Sequence, residues 1–174
     1  MGCMAVGDFD LTVDELRAVV GFATACATRV LPEFAAAAPD DSRPQEALDA
    51  AHVFIAGSPR SNLQRVSAFA AHRAAKEVEG EAAQLAALAC GDAAAAAYLH
   101  PIATATQVGH ILRAAACAAR VSELRTGAAD IGSLAGVVNE PVPAILRRYP
   151  AAPSGSSRLS RLMAELDVAI RGQA

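Results

Sequence analysis

The chain has 174 residues, 15 basic and 18 acidic side chains, a formal net charge of −3 and a pI near 5.8. That length allows one core that buries about 70% of the unfolded surface, and a 53% hydrophobic content excludes an intrinsically disordered chain. Alanine supplies 44 residues, against five Phe, two Tyr and no Trp. Alanine is the best helix former and a poor strand former, so sandwiches and barrels are excluded and an all-α fold is expected.

The first helix starts at Thr12, where Thr12-Val13-Asp14-Glu15 fits a capping box. Val13, Leu16, Val20, Ala23, Ala27, Val30 and Phe34 then follow one helical stripe. Pro32 inside it predicts a kink or a new turn, and Pro39 predicts the stop. Asp41 or Ser42 caps a second helix with Pro44 in its first turn, ending near Ala56 before Gly57. A third starts at Ser61 or Asn62. Its expected inner face is Leu63, Val66, Ala70 and Ala74, and its outer line is Arg65, His72, Lys76 and Glu79. Gly80 breaks it before an alanine-rich helix, and Gly91-Asp92 reads as the next boundary. Ala93–Ala97 carries nothing larger than methyl, which lets a neighbouring helix approach closely. Thr104–Arg125 reads as a central helix with one polar stripe at Arg113 and Arg120. A short helix ends at Arg147-Arg148-Tyr149, and a last amphipathic helix turns Leu159, Leu162, Met163, Leu166 and Ile170 inward. No segment alternates at period two. The expectation is a single all-α domain over residues 1–174, a bundle of about seven helices, two or three long and several short. Residues 1–9 are expected as a flexible N-terminus, with loops at 127–140 and 150–157.

Function classes narrow by what is missing. Lys76 is the sole lysine beside 14 arginines, and no basic run exceeds Arg147-Arg148. A phosphate-neutralising surplus is lacking, so nucleic acid is not expected as a partner. Cys3, Cys26, Cys90 and Cys117 form no CxxC pair and read as reduced thiols of a cytoplasmic protein. Met1-Gly2-Cys3-Met4 lacks a basic and an apolar region, so no secretory leader is expected. Ala93–Leu112 is uncharged, but its His100, Pro101, Thr104, Thr106, Gln107 and His110 make it a poor span, and no membrane partner is expected.

Catalytic motifs are absent: no GxSxG elbow, no phosphate-binding glycine loop and no HExxH occur, so no catalytic residue, metal ligand or cofactor is assigned. Four histidines stand at His52, His72, His100 and His110, at spacings that suit no one-helix metal pair. A site built from separate helices would use His72, His100 and His110, together with Asp92. Asp8, Asp10, Asp14 and Glu15 suit a helix N-terminus electrostatically; the sharper reading is an acidic docking face. Arg43 at a helix start opposes the helix dipole unless a carboxylate holds it. Asp40 or Asp41 is the obvious partner, and Arg43 is expected to act as a clamp reaching inward or to another helix.

At these residues a resemblance appears. Leu11-Thr12-Val13-Asp14-Glu15-Leu16-Arg17 before an alanine-rich helix, the turn Asp41-Ser42-Arg43-Pro44 followed by Glu46-Ala47, and Ala71-His72-Arg73-Ala74-Ala75 resemble the Imm-5-like immunity family of bacterial all-helical proteins. The resemblance spans about residues 9–125. Tyr98-Leu99-His100-Pro101 and Ala105-Thr106-Gln107-Val108 fit an actinobacterial subgroup, and Phe54 stands where the family carries an aromatic in its second helix. The resemblance implies a small cytoplasmic protein that binds and neutralises a toxin, with no catalytic residues.

The leading expectation is therefore a helical module that works by binding a protein, with Asp41, Arg43, His72, His100, His110, Arg113 and Arg120 as candidate binding residues. The alternative is a small-ligand or metal site between helices at His72, His100 and His110, enzymatic or not. A homodimer through the last helix is the third.

Overall fold

The computed structural model describes residues 7–173, and the readings made for Met1–Met4 lie outside them. Eight α-helices and no strand occur among the described residues: α1 (Val13–Ala37), α2 (Arg43–Ile55), α3 (Asn62–Glu77), α4 (Glu81–Ala95), α5 (Val108–Thr126), α6 (Ile131–Gly136), α7 (Val142–Leu146) and α8 (Arg158–Arg171). Two single 3₁₀ turns, Ala96–Tyr98 and Ala105–Gln107, join α4 to α5. The all-helical bundle expected from composition is the fold observed.

Local chemistry explains most boundaries. Thr12 caps α1 through the Glu15 amide, while the Glu15 carboxylate accepts from the Thr12 amide at 2.9 Å. Ser61 and Gln64 repeat that exchange at α3. Gly80, at φ +93°, supplies the left-handed turn that separates α3 from α4.

α1 continues through Pro32 to Ala37, so no new helix starts there; a proline removes one backbone donor, and the packed stripe from Leu16 to Phe34 outweighs that loss. Of the two residues expected to cap α2, Asp41 accepts from the Arg43 amide at 3.1 Å, while the Ser42 hydroxyl donates to the Glu46 carboxylate at 2.5 Å. Two expectations are corrected. Gly91-Asp92 is no boundary, for α4 continues to Ala95. The stretch expected as a loop at 127–140 contains α6, started by Asp130 in the left-handed region.

One hydrophobic core draws residues from all eight helices. α4 occupies the middle, packing on α1, α2, α3 and α5, and α5 in turn packs on α1 and α8. Ala83, Ala86, Ala87, Ala89, Ala93 and Ala94 of α4 are buried, so methyl-lined backbone meets its neighbours directly and axes can close toward the lower end of the usual 8–10 Å. Phe34, Phe54, Leu112, Ile145 and Leu166 fill the remaining volume. α1 is long and apolar enough to cross a membrane by length and composition; half of that stretch is buried inside the bundle.

Charged side chains stitch the periphery. Glu123 accepts from Arg158 at 2.6 Å and from Arg120 at 2.7 Å, and Arg120 also donates to Glu81, so α4, α5 and α8 share one ion network. Arg148 binds Glu15 at 2.6 Å and the Asp10 carbonyl at 2.8 Å, tying the chain after α7 to the start of α1. Residues 7–9, expected to be flexible, are held: the Asp8 amide donates to the Pro101 carbonyl at 2.7 Å, and Phe9 packs edge-on against Tyr149 with ring centres 4.8 Å apart.

Candidate functional site

The largest disagreement between expectation and structure concerns α3. Its buried side is Gln64, Ala68, Ala71, Ala74 and Ala75, whereas the expected inner residues Leu63 and Val66 are 47% and 54% exposed. Phe69 is 56% exposed beside them. Gln64 takes an interior place because its amide donates to the Ala50 carbonyl at 2.9 Å and its oxygen caps the helix. Small residues face α4 and large apolar ones face outward, the reverse of an ordinary amphipathic helix.

A cleft of about 270 Å³ opens along this helix. Arg65, Ala68, Phe69 and His72 of α3 form one wall, and Ala95, Tyr98 and His110 form the other. Tyr98 is a fixed wall: its hydroxyl donates to the Ser61 carbonyl at 2.8 Å, and the Arg60 guanidinium covers its ring at 5.1 Å. Arg65 lies over the Phe69 ring at 5.7 Å.

Asp92 sits behind the cleft, only 6% exposed. His72 Nε2 is 3.1 Å from its Oδ1, and Arg113 Nη1 is 3.9 Å from the same oxygen. Two glycines make room for these side chains. A Cβ on Gly91 would lie 2.4 Å from His72 Cδ2, and one on Gly109 would lie 2.8 Å from Arg113 Nη2. Asp92 Oδ2 is buried with no hydrogen-bond partner. Burial holds the His110 imidazole below its ordinary value; the nearby Arg113 and His100 charges add to that, while Asp92 and the Ala95 backbone act against it.

The candidate residues thus separate. His72 and His110 line one cleft, whereas neither His100 nor Arg113 lines it; Arg113 is tied to it only through Asp92. His100 instead is exposed and fixed through its backbone, donating to Gln107 Oε1 and accepting from the Tyr149 hydroxyl, each at 2.9 Å. The convergence of three imidazoles is therefore corrected to two. Among the described residues no group of three His, Cys, Asp or Glu side chains could hold a metal ion. Arg120 belongs to the ion network of α4, α5 and α8, not to the cleft. Arg43 is the clamp expected of it. It grips Asp41 through two nitrogens, at 2.9 and 2.6 Å, and reaches Glu77 at the end of α3 at 2.5 Å. The acidic stretch before α1 is occupied: Glu15 binds Arg148, Asp14 binds Arg17, and Asp8 accepts from the Ala103 amide. The inward strip of α8 is buried at Leu162, Leu166 and Ile170.

Sequence reasoning missed Phe69, Val66 and Tyr98 as surface features. The signal was available in the run Gln64, Ala68, Ala71, Ala75, a continuous small-residue stripe that suits close packing better than Leu63 and Val66 do.

A model of the family described as Imm-5 like putative immunity protein matches residues 10–133. The chain belongs to this family. The matched span covers α1 to α5 and the first residues of α6, so the whole cleft lies within it, while α7 and α8 lie beyond. No curated protein and no solved structure matches the chain.

Proposed function

We propose that this Imm-5-like protein acts in the cytoplasm by binding a toxin and blocking it, with the outward face of α3 and its cleft as the contact surface. The observation that carries this reading is the exposed strip Leu63, Val66 and Phe69, on a helix whose opposite side is packed. Large apolar side chains in water cost free energy that a partner's burial recovers, and a small cleft beside them suits a single anchoring side chain. Occlusion needs no chemistry, which accords with the absence of any catalytic motif. Cys26, Cys90 and Cys117 are free and buried, in keeping with a reducing compartment.

The test is growth rescue. Cells expressing a toxin encoded beside this gene are expected to survive when the chain is co-expressed, and the purified chain is expected to block that toxin only at equimolar amounts or above. Inactivation of many toxin molecules by one copy of the chain would replace occlusion by chemistry, and no protection by the folded chain would remove the reading.

A second reading, a small-ligand site, draws on the two histidines of the cleft and the unpartnered Asp92 Oδ2. The cleft lies just below the usual size of small-molecule pockets, roughly 300–1,000 Å³, which favours a partner's side chain.

A further inference from the structure

The charges around the cleft say what kind of surface it meets. Of the 14 arginines, twelve have a hydrogen bond or an ion pair among the described residues. The other two are Arg65 and Arg73, and the only lysine, Lys76, has no such partner among the described residues either. All three are exposed and stand on α3. At 100° per residue they share the outward half of that helix with Val66 and Phe69. Basic side chains that elsewhere bind a carboxylate, a hydroxyl or a backbone carbonyl are thus left open on a helix that also exposes Leu63, Val66 and Phe69 side by side. Arg113, half-exposed and 3.9 Å from Asp92, adds a fourth cation nearby.

We infer that this face recognises an acidic surface of a partner protein, and that one apolar or aromatic side chain of that surface enters the cleft between Phe69 and Tyr98. The inference rests on the toxin-binding reading and gives that partner its chemistry. The chain carries a net charge of −3, so an acidic partner is repelled by the molecule as a whole and attracted here, which sets the orientation of docking. Carboxylates meet Arg65, Arg73 and Lys76 around an apolar centre, the arrangement of charged rim and buried anchor that gives both rate and residence time. The ring of Phe69, already under the Arg65 guanidinium, and the fixed ring of Tyr98 provide two aromatic walls for the anchor.

The experiment is selection of a random 12-residue peptide library on the purified protein, followed by binding of synthetic peptides to wild type and variants. Enriched sequences are expected to carry two or more Asp or Glu around one Leu, Phe, Tyr or Trp. Binding is expected to weaken at least tenfold in Arg65→Glu/Lys76→Glu and in Phe69→Ala, and to fall as NaCl rises from about 50 to 300 mM. Far-ultraviolet circular dichroism and thermal melting establish that the variants fold. No enrichment, enrichment without acidic residues, or equal binding to the charge-reversed variant overturns the inference. So does capture of a single-stranded oligonucleotide that the same charge reversal abolishes, or self-association abolished by it, since the occupant is then nucleic acid or a second copy. Rescue of cells without acidic-peptide binding leaves toxin neutralisation standing and places it on another surface. Acidic-peptide binding without rescue keeps this inference and removes the toxin.

Discussion

His72 reaches Asp92 across the α3–α4 contact, Nε2 to Oδ1 at 3.1 Å, through a space that exists because residue 91 has no side chain. A methyl at Gly91 would meet His72 Nε2 at 2.6 Å and, less forgivingly, the backbone oxygen of Ala68 at 2.9 Å. Gly91→Ala is therefore expected to push α3 away from α4 and to destabilise the fold by about 1–3 kcal/mol, despite alanine's better helix propensity. At about 2–4 °C per kcal/mol for a chain of this size, thermal melting reads the effect directly. A melting temperature equal to wild type would remove the close-approach argument.

Arg43 holds Asp41 with two nitrogens and Glu77 with one, linking the start of α2 to the end of α3. The group is partly solvated, so Arg43→Ala is expected to cost about 1 kcal/mol. Arg43→Lys should recover little of it, because an ammonium cannot repeat the forked geometry. Chemical denaturation of the three proteins checks the order; a lysine variant as stable as wild type would show that charge alone suffices.

Sequence reading reached the fold through its caps and stops but missed the orientation of α3 and the continuity of α4. Thr12, Glu15 and Pro39 act locally, on backbone groups within a turn of themselves, so their effect is readable in isolation. The facing of α3 depends on its neighbour: α4 presents methyl groups, and a helix that approaches methyl groups must itself be small on that side. Leu63 and Val66 lose the interior to Ala68 and Ala71 for want of room, not of hydrophobicity. Gly91 looked like punctuation because glycine usually is; its actual task is to admit His72 from another helix, which no local pattern reveals. The Arg43 clamp was legible, since an arginine at a helix start needs a nearby carboxylate.

Burial pushes the Cys26 and Cys90 thiols up to about 12 and raises Cys117 as well. The three are expected to resist N-ethylmaleimide at pH 8 in the native protein and to react in denaturant. Peptide mapping after a brief pulse separates the cases; native labelling of Cys117 would show that α5 is not buried as described.

His110 binds its proton less readily in the folded protein than in the unfolded chain, chiefly through burial, then through Arg113. Its contribution to stability is complete above the unfolded value of 6.5 and is lost as pH falls through the lower folded value. Proton NMR of the imidazole is expected to place its midpoint below 6.5, and Arg113→Ala to move it upward. A midpoint at or above 6.5 would put His110 in water rather than in the cleft wall.

Growth rescue by Val66→Asp/Phe69→Asp tests the central claim most directly, since both residues are exposed and neither supports the core. If the outward face of α3 is the contact surface, the double variant melts close to wild type and no longer protects cells from the toxin that wild type blocks. Full protection by a stably folded double variant would contradict the account.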